Sequence, residues 1–221
     1  TTAGDINGVG TISALNGVTG TATGTGNVDI VYANSVIDDG LATTMISANN
    51  LNVTPGTTDP VADSKVEIDT SVTSASIKAL STDIDETDSI ILDEIDVSTL
   101  DLVAGVSVTD SDADTDTTSS VTVSGVTKIN AGDDVILNDD ENVFGEIDIT
   151  AVDKAIIREN DKVSGIVVAK SLQVQGTKGI TLKEGTAVSS IAALSDSSTS
   201  TLEATDIPAV LVSNTGGLAV D

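Results

Sequence analysis

Asp110, Asp112, Asp114 and Asp116 stand at every second position of the run TDSDADTDTTSS, residues 109–120. In a loop, alternate carboxylates can converge on one hard cation, and Ca2+ takes about 6–8 oxygen ligands. These four residues are therefore the candidate metal ligands, with Ca2+ as the ion. The run is not an EF-hand, because the central Gly and the distal bidentate Glu are missing at the required spacing. In a strand the same alternation simply lines one solvated face with carboxylates. Two further acidic groups are Asp133, Asp134, Asp139, Asp140 and Glu141, split by the aliphatic run 135–137, and Asp83, Asp85, Glu86 and Asp88.

Other chemistry is poorly supplied. The chain has no His and no Cys, so Ser-His and Cys-His nucleophile–base pairs cannot be assembled. Carboxylate pairs for glycoside hydrolysis can be drawn from any of 35 acids, so their presence discriminates nothing. Arg158 is the sole arginine, and Tyr32 and Phe144 are the only aromatic residues, too few for the stacking platforms of a usual sugar cleft. The expectation is a protein that is not an enzyme. Phe144, between the Asn142 turn and Gly145, reads as a core plug at a corner. Tyr32 reads as a half-buried strand residue. The Thr-x-Thr steps of residues 19–25 read as turn or edge-strand composition.

The formal net charge is −26, from 35 acidic and 9 basic residues. Such a surface repels phosphate, which argues against nucleic acid as a partner, and it is not drawn to anionic lipid. Charge is uneven: Lys65 and Lys78 are the only basic residues before Lys128. Without cysteine there is neither a disulfide framework nor a thiolate metal site. No apolar run approaches the ~18–20 residues of a membrane span, so no membrane insertion is expected. The sequence begins at Thr1 without Met, as expected of a processed export product, which places the protein outside the cell or on its surface.

The elements that must carry these residues are strands. No stretch repeats apolar residues at i, i+3, i+4 and i+7 between caps. Instead, aliphatic runs of 3–5 residues recur at 28–31, 66–68, 89–92, 100–103, 121–123, 135–137 and 147–149. More follow at 155–157, 166–168, 172–174 and 180–182, each bounded by Gly, Asn, Asp, Ser or Thr. Strands this short suit a β-solenoid, in which every turn adds a strand to two or three parallel sheets. Runs at Val135, Ala155 and Leu172 are 20 and 17 residues apart, and those at Ile147, Ile166 and Ile180 are 19 and 14 apart, so each is expected above its predecessor. Residues 1–27, rich in Gly and Thr, form a segment of irregular strands suited to assembly. Residues 28–221 form a single solenoid domain, interrupted by loops at 54–63 and 109–120.

The stretch INAGDDVILNDDENVFGEIDIT, residues 129–150, resembles repeats of large secreted bacterial surface proteins of the filamentous-haemagglutinin type. A Gly-Asp turn (Gly132, Asp133), a short strand, and an Asn-x-Phe step (Asn142, Phe144, Gly145) occupy corresponding places, and the likeness extends over about residues 120–190. The resemblance implies a right-handed parallel β-helix and a role in adhesion or surface architecture. The fold expected is thus all-β, a parallel β-helix with irregular N-terminal strands. The function expected is a secreted structural protein whose partner is itself, as a homopolymer joined end to end or by strand exchange into a filament, sheath or surface lattice. The alternative is an adhesin fragment that presents binding loops to a host or cell-surface ligand.

Overall fold

The structure, a computed structural model, describes residues 6–7, 10–14, 22–23, 26–32, 34–37, 45–60, 62–110, 120–139, 141–159, 162–176, 179–183, 185–195, 200–202, 210–214 and 218–220. Among them there is no helix. The strands are β1 (Ile6–Asn7), β2 (Gly10–Ala14), β3 (Ala22–Thr23), β4 (Asn27–Tyr32), β5 (Val36–Ile37) and β6 (Ile46–Pro55). Next come β7 (Lys65–Glu86), β8 (Ile90–Ala104), β9 (Val108–Asp110), β10 (Val121–Ala131), β11 (Val135–Leu137), β12 (Val143–Ala151) and β13 (Lys154–Glu159). The last are β14 (Lys162–Gly176), β15 (Gly179–Leu182), β16 (Ala187–Ser195), β17 (Ser200–Leu202), β18 (Val210–Asn214) and β19 (Leu218–Val220).

Neighbouring strands pair in parallel, each with the strand one turn later, which makes the fold an all-β solenoid. Register stacks like on like. One column runs Ile12, Ile30, Val53, Ile77, Ile95, Val121. A second runs Ile84, Leu102, Ile129, Ile149, Val167. A third runs Ile90, Val108, Val135, Ala155, Leu172, Ile191, Val210. β-Branched side chains suit such columns, because each packs on the pleated surface of the coil below. The described strands of residues 1–27 join the same coil, β1 pairing with β3 and β2 with β4.

Strands are longer than the 3–5 residues expected from the aliphatic runs: β7 has 22 residues and β8 has 15. They turn corners without breaking the ladder. The inward–outward alternation slips at doubled outward positions, such as Thr73–Ser74 and Leu80–Ser81 in β7 or Asp93–Glu94 and Ser98–Thr99 in β8. The coil is therefore three-sided. The 20- and 17-residue spacing of Val135, Ala155 and Leu172 is the observed register. The second series is out of register, by one residue at its first step and by three at its second: Gly165 lies over Ile147, Ile166 lies over Asp148 on the outer face, and Ile180 pairs with Val163. Phe144 is buried in the core and pairs with Val123. Tyr32 is not half-buried but enclosed, at 1% exposure, and its hydroxyl donates to the Lys78 carbonyl at 2.7 Å.

Polar side chains also point inward, and several of them bond backbone groups. Where corners interrupt the ladder, amide N–H groups lose their partners and must find others. Glu86 Oε2 accepts from Val72 N (3.0 Å) and Thr70 Oγ1 (2.9 Å), and its Oε1 accepts from Asp88 N (3.1 Å). Asn142 Oδ1 accepts from Val121 N at 2.9 Å, and Glu159 Oε1 accepts from Phe144 N at 3.1 Å.

Candidate functional site

The step from Ile90 to Val108 is 18 residues, whereas that from Val108 to Val135 is 27, nine more. The surplus enters after β9, at the acidic run. Asp110, the last residue of β9, pairs with the inward Leu92 and is itself only 7% exposed. Its Oδ2 accepts from Asp139 N and from Asn142 Nδ2, both at 2.8 Å. Its Oδ1 is enclosed and has no hydrogen-bond partner among the described residues. Burial pushes the Asp110 carboxyl above its ordinary pKa; the bonds from Asp139 N and Asn142 oppose this, while the nearby Asp139 charge adds to it. Asp112, Asp114 and Asp116 lie outside the described residues. Asp110 thus anchors the base of the insertion through Asn142.

The carboxylates that do converge as a potential metal-ligand set, among the described residues, are Asp133, Asp134 and Asp153, whose oxygens lie within 4.8 Å of one another. Asp133 and Asp134 form the Gly132 turn, and Asp153 occupies the same corner one coil later, its N–H donating to Asp133 O at 3.1 Å. The stacking of corners brings together residues 20 apart, which a linear reading of acidic runs misses. Two lysines already offset most of its charge: Lys154 Nζ lies 3.3 Å from Asp134 and Lys170 Nζ 3.2 Å from Asp153. Three oxygens also fall short of the 6–8 that Ca2+ takes. The cluster can hold a hard cation only if water completes the shell.

Among the described residues a groove of about 580 Å3 lies on the outer face of β4, β6, β7 and β8. Its floor is two polar columns, set by register: Asn27, Asn50, Ser74 and, two residues along, Asp29, Asn52, Ser76. Hydrogen bonds run up the columns. Asn50 Nδ2 donates to Asn27 Oδ1 (2.9 Å), Ser74 Oγ donates to Asn50 Oδ1 (2.7 Å), and Asn52 Nδ2 donates to Asp29 Oδ1 (3.4 Å). Opposite Ser76 the register slips, so that β8 carries one extra residue and presents Asp93 and Glu94 together at the rim. Ser76 Oγ donates to Asp93 Oδ2 at 3.0 Å. Bulges of this kind re-aim side chains and concentrate near binding sites. The acidic runs drew the sequence reading elsewhere, because residues 27, 50, 74 and 93 meet only through coil register.

Outside the groove, opposite charges stack. Lys128 contacts Asp101 at 2.9 Å, Lys78 contacts Asp96 at 3.1 Å, and Lys183 contacts Glu146 at 2.7 Å, each joining different coils. These pairs are exposed and screened by solvent, so each adds little to stability, and they act mainly to fix register.

Residues 78–151 match a family described as repeats of unknown function (DUF5649). Those residues contain the in-register segments IDETDSIIL (84–92), LVAGVSVTD (102–110) and INAGDDVIL (129–137), and they end at the start of a fourth, ITAVDKAII (149–157). The family is consistent with β-helix repeats, and no filamentous-haemagglutinin-type family is identified. No curated protein and no solved structure matches the chain.

Proposed function

We propose that the chain is a non-enzymatic structural β-solenoid of an extracellular assembly, lengthened by adding coil upon coil. The supporting observation is the register of the repeats: each described turn pairs in parallel with the next and stacks aliphatic residues in columns, so that the surface of one coil matches that of another. A second copy supplies such a coil with matching column spacing, and head-to-tail addition does not close, so it builds a filament. Negative-stain microscopy and light scattering of the purified chain test this. Filaments or sheets are expected; single short rods at every salt and calcium concentration would sink the proposal.

A second reading, a stalk that displays a binding surface, is favoured by the groove. It differs from the adhesin expectation in placing the contact on strands, where side chains are held more rigidly than on loops. Single rods that still bind intact cells, and lose binding when groove residues are replaced, would select it.

A further inference from the structure

We propose that the outer face of β8, β9, β11 and β13 is a lateral interface, on which two copies of the chain pair side by side with their rods antiparallel. The inference goes beyond end-to-end addition, because it uses the flank of the coil. An apolar stripe and the charges on either side of it carry the inference.

Register continues the outward column Asn27, Asn50, Ser74 as Ile91, Thr109, Ile136 and Ile156. The column changes character at Ile91. Before it, amides and hydroxyls bond one another; from it onward, three of four side chains are isoleucines, each half-buried on the outer side of the coil. A neighbouring outer column at the same level is charged throughout: Asp83, Asp101, Lys128, Asp148. With coils about 4.8 Å apart, the stripe runs about 14 Å along the rod. The chain between Asp110 and Ser120 has Ala113 as its only apolar residue, so it brings nothing to bury against isoleucine. A second copy of the stripe does.

Charge selects the orientation. Two residues past the stripe stand Asp93, with the exposed Glu94 beside it, on β8 and Arg158 on β13; two residues before it stand Ser89 and Lys154. Arg158 is the sole arginine, and it has no hydrogen bond or ion pair among the described residues. Two copies can meet face to face across a two-fold axis in two ways. With rods parallel, each coil faces its own twin, and Lys154 meets Arg158 of the second copy, like on like. With rods antiparallel and the axis between Thr109 and Ile136, the coil of Ile91 faces that of Ile156. Ile91 then lies on Ile156, Thr109 on Ile136, Asp93 and Glu94 on Arg158, and Ser89 on Lys154. No like charges meet in these pairs, and complementarity of this kind fixes orientation more than affinity.

A stripe this short belongs with the weak, transient interfaces, below about 1,200 Å2 in all. Single rods therefore pair only in concentrated solution, whereas filaments that repeat the stripe once per copy pair along their length.

Sedimentation equilibrium tests the pairing, in about 0.15 M salt so that repulsion between chains of net charge −26 is screened. Arg158→Glu and Glu94→Arg should each weaken association at least about 10-fold, with Tm nearly unchanged. The double variant Arg158→Glu, Glu94→Arg should restore it, because the two-fold brings the exchanged charges together again. The chain has no cysteine, so introduced ones report the register. A mixture of Ile91→Cys and Ile156→Cys chains should form the mixed disulfide faster than either chain links to itself. If Ile91→Cys chains link to each other instead, or the charge variants associate as the parent does, the antiparallel pair is refuted. Unpaired thin filaments would overturn this interface and leave end-to-end addition standing; paired short rods that never lengthen would do the reverse.

Discussion

Two acidic side chains inside the coil behave differently because one is fully bonded and the other is not. Glu86 stands in the column continued by Ala104, Ala131 and Ala151, so its carboxylate occupies space that alanines leave free elsewhere. Both of its oxygens accept hydrogen bonds. Glu86→Ala strands the Val72 and Asp88 amides and the Thr70 hydroxyl, and should cost about 3 kcal/mol, read as a Tm lower by about 6–12 °C. Asp110 has one bare oxygen, and burial raises its carboxyl, as it does that of Asp83, where the weak Lys65 contact opposes the effect. In the unfolded chain both titrate near ~3.9. The folded state therefore binds these protons more tightly, and stability rises as pH falls from neutral through the raised values, the gain being complete below the unfolded ones. Melting curves from neutral pH down towards the unfolded value of about 3.9 should show Tm rising on acidification. Asp110→Asn should flatten that rise; an unchanged slope would mean that Asp110 does not titrate there.

At the scale of the element, corners decide what fits. A Cβ on Gly132 would sit 2.2 Å from the Gly105 carbonyl oxygen, a backbone atom that cannot move aside alone. Gly132→Ala should therefore lose about 2 kcal/mol, measured by denaturant unfolding with an unchanged m-value. The Asp133–Asp134–Asp153 corner gives a second prediction. Because Lys154 and Lys170 already pair two of its three carboxylates, added Ca2+ should leave the parent Tm unchanged, whereas the double variant Lys154→Ala, Lys170→Ala should gain stability with Ca2+ and lose it with EDTA. The corners also mark the limit of what could be read from residues in a line. The all-β coil was legible, since Val, Ile and Leu recur between turn formers, and the columns through Val135, Ala155 and Leu172 follow from spacing alone. Ile166 was misplaced because a one-residue slip inverts every side chain, and nothing in GIVVA distinguishes an inward Val167 from an inward Ile166. The groove was hidden for a related reason: its four strands are separated by steps of 23, 24 and about 17 residues, too irregular to align before the register is known. The segment LVAGVSVTD did carry a signal, since aligning it with IDETDSIIL and INAGDDVIL puts Asp110 at the place of Leu92 and Leu137 and so marks it as inward.

For the whole molecule, the coil is a one-dimensional object in which each turn touches only its neighbours, so stability is close to a sum of rungs and their contacts. Its net charge of −26 opposes compaction throughout, while inter-coil pairs such as Lys128–Asp101 relieve it locally. The unequal turn lengths have a mechanical consequence. Pulled from its ends, such a rod should unwind turn by turn, and every rupture should release the contour length stored in one turn. An 18-residue turn such as Ile90 to Val108 frees about 60 Å of chain, and the 27-residue turn from Val108 to Val135 frees about 90 Å. In an optical-tweezer trace the long turn is thus a distinctive step, a ruler mark that reports from which end the unwinding began.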